Sequence, residues 1–179
     1  MSTPYAQERY LATLAVHRAA LLTTRVLAAA NKGTIIKSDS SPVTIADFGS
    51  QALLIHALHS HFPDDSFVGE ESANVLRADP TLLEAIWSLV STTRHEDPEA
   101  DAVLGSVPSR EEMLRVIDLG GTGAGGRNGR IWMLDPIDGT KEFVKGGQYA
   151  IALALGEKSF PGGVRRAGAD GPPANGQPE

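Results

Sequence analysis

Two aspartates close an apolar run in Trp132-Met133-Leu134-Asp135-Pro136-Ile137-Asp138-Gly139-Thr140. An unpaired carboxylate withdrawn from water loses several kcal/mol of solvation or stays protonated, so two of them at the end of a buried run call for a counter-charge. Pro136 fixes its own φ and holds Asp135 in extended backbone. Both acids therefore sit on a stiff support, which suits a hard-cation site. Gly139-Thr140 then opens a short helix, whose first free N–H groups and positive dipole end can hold a phosphate. Cation ligands followed at once by an anion-binding helix start point to metal-assisted phosphate chemistry. The plain alternative is a strand that ends in an Asx turn, since Asp, Pro and Gly are common turn residues.

A second acidic pair, Glu70-Glu71, follows Gly69 at the end of the short apolar run Ser66-Phe67-Val68. Taken alone it reads equally as a solvated turn or helix start. A third acid, Asp47, falls in Pro42-Val43-Thr44-Ile45-Ala46-Asp47, where it reads alone as a surface residue in the first turn of a helix. His56, His59 and His61 share one helix, but no third ligand lies nearby in sequence, and solvent-facing histidines are expected. No Ser/His/Asp constellation has the spacing of a nucleophile motif.

The elements that must carry these residues are helices and strands in mixture. A helix is expected over residues 4–29, capped by Thr3 with Pro4 at its first position and an apolar stripe of Leu11, Leu14, Leu21 and Leu22. A second runs over residues 47–61 with Phe48, Ala52, Ile55, Leu58 and Phe62 inward, and Pro63 ends it. Phe67-Val68 is a short strand delivering Glu70. Asp79-Pro80 starts a third helix through Val90. Residues 92–108 read as a polar, acidic loop. Ser109 to Glu112 reads as a capping box for a helix to about Val116. Gly121-Thr122-Gly123-Ala124-Gly125-Gly126 matches a dinucleotide-binding spacing, but it leads into the strand Arg130–Leu134 and offers no helix dipole, so a hairpin turn is expected instead. Tyr149–Leu155 reads as a strand buried on both faces.

The 179 residues are 41% hydrophobic, enough for one domain core, and contain no cysteine, which excludes disulfide and thiol chemistry. The net charge of −6 argues against a nucleic-acid polymer as partner but not against a small nucleotide. No apolar run approaches a membrane span, and no basic segment leads into an apolar one at the start. No membrane partner and a cytoplasmic location are expected.

Together, Gly69-Glu70-Glu71 and Asp135-Pro136-Ile137-Asp138-Gly139-Thr140, in that order after Asp47, resemble the lithium-sensitive, magnesium-dependent phosphatases of the inositol monophosphatase superfamily. Ser41-Pro42-Val43-Thr44, Phe62-Pro63-Asp64-Asp65, Gly125-Gly126-Arg127-Asn128-Gly129-Arg130 and Gly147-Gln148-Tyr149-Ala150 resemble its 3'(2'),5'-bisphosphate nucleotidase branch, the fungal members especially. The resemblance implies an α+β fold: the N-terminal, metal-bearing half of a sugar-phosphatase-like αβαβα architecture. It implies two or three Mg2+ ions held by Glu70, Asp135, the Ile137 carbonyl and Asp138. Asp47 and Thr140 would be the catalytic pair that positions and deprotonates the attacking water, Gly139 and Thr140 would bind phosphate, and Glu71 would play a supporting part. The implied reaction is removal of the 3'-phosphate of adenosine 3',5'-bisphosphate and its sulfated relative, a step tied to sulfate assimilation. An inositol or sugar phosphate monophosphatase is the alternative substrate reading.

The resemblance covers about residues 5–156. An incomplete phosphatase domain over 1–156 is expected, followed by a disordered tail over 157–179 in which Gly and Pro are the commonest residues. Family members continue with a Trp-Asp-x-x-Ala-Gly segment that supplies one more ligand, and this sequence has none. A catalytically inactive fragment is therefore a further reading. Glu142 stands where the branch carries Gly. It could cap the helix or repel phosphate, and an outward-facing side chain is expected.

Overall fold

The computed structural model describes residues 4–31, 42–122 and 129–158. Its elements are α1 (Ala6–Asn31), α2 (Pro42–His61), β1 (Ser66–Val68), α3 (Asn74–Ala78), α4 (Pro80–Val90), α5 (Pro98–Leu104), α6 (Arg110–Leu119), β2 (Gly129–Asp138), α7 (Thr140–Val144) and β3 (Ala150–Lys158). Long helices packed on a three-stranded sheet make the expected α+β class. Residues 123–128 lie outside the described residues, and so do most of the expected hairpin turn and Arg127. Residues 159–179 do too. β3 runs through Lys158, two residues past the expected end of the domain at 156.

α2 is the central helix. It packs on α1, α4, α6 and β2, so it is apolar all round rather than along one stripe. Its start at Pro42, not Asp47, follows from proline's fit to the first helical position. Asp47 thereby moves from the first turn into the second and becomes 8% exposed. α1 covers α2 and β3 with Leu11, Ala15, Ala19, Leu22 and Val26, all buried, while Leu14 packs half-buried beside them. α1 is, by length and composition, apolar enough to cross a membrane, which the sequence reading did not anticipate. Its apolar stripe is the one that packs on α2. Buried among it, Arg18 donates to the carbonyls of Gly105 and Leu53.

In the sheet, β2 lies between β1, which is parallel, and β3, which is antiparallel. Among the described residues β3 is an edge strand with one covered face, not a strand buried on both. Ile151, Leu153 and Leu155 turn to the core, while Ala150, Ala152 and Ala154 are exposed. Alanine reads as apolar in sequence but is small enough to face water, which is why the alternation was missed.

Two further expectations are corrected. The segment read as a polar loop contains α5, capped by the Asp97 side chain on the Glu99 N–H, with Pro98 at its start and Ala100 and Leu104 buried. The acidic composition hid a normal helix-start signal. At α6, Ser109 Oγ accepts from the Glu112 N–H at 3.1 Å, but the Glu112 carboxylate pairs with Arg115 instead of closing the capping box.

His56 and His59 are not solvent-facing. Both are half-buried, with His56 Nδ1 4.0 Å from Glu112. Burial, more than any neighbouring charge, holds both imidazoles below their ordinary value. The unfolded chain then takes up more protons below about pH 6.5, so folding stability falls with pH there. Measured by urea midpoint, the wild type should lose stability relative to a His56→Gln, His59→Gln variant between pH 7.5 and 5.5. Parallel curves would show that burial does not tune these rings.

Candidate active site

The parallel pairing of β1 and β2 decides where the acids meet. Val68 lies opposite Met133, so both strands run out at the same end. β1 releases Glu70 and Glu71 there, and β2 ends there in Asp135 and Asp138.

Strand alternation alone would send residues three apart to opposite faces. The register prevents this. Asp135 pairs with Ala152 and Asp138 with Ala150, so β2 carries one extra residue between them, a β-bulge. Pro136 and Ile137 are consecutively buried, and Asp138 returns to the open side with Asp135. The side chain of Asp135 accepts the Ile137 N–H at 3.2 Å, the Asx turn of the plain reading. Turn and ligand readings are compatible, because the second carboxylate oxygen is not used by that bond.

Gly139 has a φ of 95°, a left-handed conformation in which a side chain is strained, and a Cβ there would also press on Gln148 O at 3.4 Å. This turn folds the chain back into α7, which is a single turn long. The Thr140 hydroxyl donates to the Ile137 carbonyl at 3.1 Å. Glu142 is exposed and pairs with Lys145 at 3.0 Å, so its outward-facing reading holds.

α2 supplies the fifth acid. Burial first, then Glu71, Glu70 and Asp135, push the Asp47 carboxyl up to about 7. Burial, then Asp135 and Asp138, raise Glu70; burial, then Glu70, raise Glu71. The five carboxylates therefore face one another across α2, the end of β1 and the end of β2. Among the described residues no Lys, Arg or His makes an ion pair with any of them. Nor, among the described residues, are three His, Asp or Glu side chains drawn closely enough together to form a finished metal cage. A donor set of hard carboxylate oxygens that repel one another fits divalent cations, whose charge would relieve the repulsion.

One residue of this region escaped the sequence reading. Gln51, one helical turn beyond Asp47, is fully buried. Its Oε1 accepts from the N–H groups of Glu70 and Glu71 at 3.1 and 3.0 Å. Its Nε2 donates to the carbonyls of Glu71 and Ile117 at 2.8 and 3.0 Å. The available signal was a lone amide in an otherwise apolar helix, which must find partners when buried. The end of α6 completes the clamp. Gly69 N–H donates to Gly120 O, and Asp118 accepts from Ala73 N–H and from Arg77.

Arg130 and the Phe62-Pro63-Asp64-Asp65 segment, which suggested the nucleotide branch, have structural partners. The Arg130 guanidinium forks onto Asp65, reaches Glu8 and lies 4.6 Å over the Phe62 ring. Trp132 Nε1 donates to the same Asp65 at 2.8 Å. This staple ties the start of β2 to α1 and to the turn after α2, at the opposite end of β2 from the acids. A cavity of about 380 Å3 lies near it, lined among others by Tyr5, Arg9, Trp132, Leu155 and Glu157, and none of the five carboxylates lines it.

Residues 7–165 match the model of the inositol monophosphatase family. The chain is 55% identical to a 3'(2'),5'-bisphosphate nucleotidase of Emericella nidulans over 84% of its own length and 43% of the relative's. It is 47% identical to a protein of the same name from Schizosaccharomyces pombe, over 86% of this chain and 44% of that one. A 3'(2'),5'-bisphosphate nucleotidase 1 of Arabidopsis thaliana is 47% identical over 68% of this chain. The chain spans less than half the length of these relatives. With Gly69-Glu70-Glu71 and Asp135-Pro136-Ile137-Asp138-Gly139-Thr140 brought to one end of the sheet and the family match covering most of its residues, the chain belongs to the inositol monophosphatase family.

Proposed function

We propose that this chain carries the metal-binding part of a phosphomonoesterase that removes the 3'-phosphate of adenosine 3',5'-bisphosphate and of its sulfated relative. The observation that carries the reading is the meeting of Asp47, Glu70, Glu71, Asp135 and Asp138 at one end of the sheet, with no cationic partner among the described residues. The bisphosphate substrate is suggested by the names of the relatives. The phosphatase unit is proposed to end near residue 156.

Glu70, Asp135, Asp138 and the Ile137 carbonyl would hold Mg2+, two or three ions in all. When bound, Mg2+ neutralises the phosphate oxygens and lowers the pKa of a coordinated water. The residues of the chain do the rest. The bulge presents Asp135 and Asp138 to the same side. Asp47, whose carboxyl is raised by burial and by its acidic neighbours, would accept a proton from an attacking water. The Thr140 hydroxyl sits 3.1 Å from the Ile137 carbonyl, where it can orient that water beside the Ile137 oxygen. The first amides of α7, after Gly139, would donate to a phosphate oxygen.

A second reading is that the chain binds the ions without turnover. The gathered carboxylates would call for cations whether or not a phosphate is hydrolysed, so they are compatible with it. Phosphate release from adenosine 3',5'-bisphosphate and from inositol 1-phosphate, with and without Mg2+, separates the readings. Mg2+-dependent release that prefers the bisphosphate and falls at least ~100-fold in Asp138→Asn supports the first. Equal kcat/KM on both substrates removes the nucleotide preference. Binding of Mn2+ without release supports the second, and neither binding nor release overturns both.

A further inference from the structure

We propose that Gln51 is the positioning residue that sets the spacing between Asp47 and the Glu70–Glu71 pair. The proposal rests on the reading of these acids as a metal site and adds a residue to it.

Three observations carry it. Gln51 stands four residues after Asp47 on α2, so the two share a helix face and a rigid backbone. Its carboxamide makes four hydrogen bonds, three of them to the backbone of Glu70 and Glu71 themselves. It is packed from both sides by glycines. A Cβ on Gly69 would stand 2.5 Å from Gln51 Oε1, and a Cβ on Gly120 would stand 2.8 Å from Nε2. The carboxamide therefore fills a slot between the acidic turn and the end of α6, and no larger neighbour fits there.

The physical consequence is a fixed distance between acids that repel one another. Without a tether, the Glu70–Glu71 turn would swing away from Asp47 to lower that repulsion. The fourth bond, to Ile117 O, anchors the tether in α6. Groups that orient ligands from behind typically change metal affinity ~10–100-fold when removed.

Gly120 makes the idea testable without touching an acid. Its φ is −56°, which alanine adopts freely, so the main penalty of Gly120→Ala in this slot is the push against Gln51 Nε2 at 2.8 Å, with a milder approach to the Ile117 carbonyl at 3.1 Å. The experiment is Mn2+ binding by electron paramagnetic resonance on the full chain, with thermal melts to verify folding. Gln51→Ala should weaken Mn2+ binding ~10-fold or more while the protein still melts cooperatively. Gly120→Ala should weaken it several-fold. In the Gln51→Ala background, Gly120→Ala should have a much smaller effect, because only the approach to the Ile117 carbonyl then remains. Equal effects of Gly120→Ala in both backgrounds overturn the proposal. If Gln51→Ala does not fold, Gly120→Ala alone decides: unchanged Mn2+ affinity overturns the proposal and a several-fold loss supports it. Asp138→Asn is the control. If it weakens Mn2+ binding while the Gln51 and Gly120 variants do not, the role of Gln51 falls and the metal reading stands. If none of the variants changes Mn2+ binding, both fall.

Discussion

Asp47→Asn should make the metal-free chain more stable and, in an active form, abolish turnover. Asp47 is 8% exposed, and its carboxyl is pushed up to about 7 by burial and by Glu71, Glu70 and Asp135. Its unfolded value is 3.8, so between about pH 4 and 7 the folded chain binds the proton that the unfolded chain has released. Wild-type stability is therefore highest below the lower value, falls as pH rises through this window, and levels off above it. Asn cannot ionise and escapes that fall. In EDTA the variant should gain on the wild type from nothing near pH 4 to about 2–4 kcal/mol at pH 7.5. Urea melts at the two values measure the difference. A constant gap would show that Asp47 is not strained by its neighbours. The same substitution removes the proton acceptor proposed for the attacking water, so activity should fall at least ~100-fold. Gain of stability with loss of activity is what separates a functional acid from a structural one.

Arg130→Ala should be the most destabilising single change at the far end of the sheet. The guanidinium holds two carboxylates, Glu8 and Asp65, whose side chains are only 14% and 8% exposed. Removing it leaves both acids desolvated without a counter-charge, Asp65 keeping only the Trp132 Nε1 hydrogen bond, and also removes the contact over Phe62. Breaking a buried ion pair in this way costs about 3–5 kcal/mol. The partial exposure of Arg130 lowers the expected figure to about 2–4 kcal/mol. Arg130→Lys keeps the charge but cannot fork onto Asp65 and reach Glu8 together, and should recover less than half of the loss. Metal binding by the acids at the opposite end of β2 should be unchanged in any variant that still folds. A large drop in Mn2+ affinity with little change in stability would show that Arg130 acts on the acids and not on the fold.

The acids of the site were legible in sequence because their spacing is local chemistry. Asp135, Pro136, Ile137 and Asp138 announce a stiff pair of carboxylates within four residues, and Glu70-Glu71 sits visibly at a strand end. What links them was not legible. Gln51 looks like one polar residue in an apolar helix, and its partners lie 19 to 66 residues away. The partners of Arg130 were hidden for the same reason. Its segment resembles the nucleotidase branch, and its carboxylates come from the first helix and from the turn after the second. Local signals also misled in β3, where alanines passed for core residues, and in α5, where acidic composition masked an Asp-Pro helix start. The α+β class survived these errors because it depends on long helices and on the ends of strands, not on which face each strand covers.

The parallel pairing of β1 with β2 also has a consequence for how the chain folds. Glu70 and Asp135 belong to segments joined by the whole of α3 to α6, so the two halves of the acidic cluster can meet only by closing a long loop. The helical pair α1 and α2 can form from contacts nearer in sequence, whereas the β1–β2 contact carries the larger entropic toll and the mutual repulsion of the acids besides. The cluster is therefore a late product of folding. Chains that have built their helical layer will pass through a stage in which the acids are still apart, and the closing of that loop is the moment at which a cation site first exists.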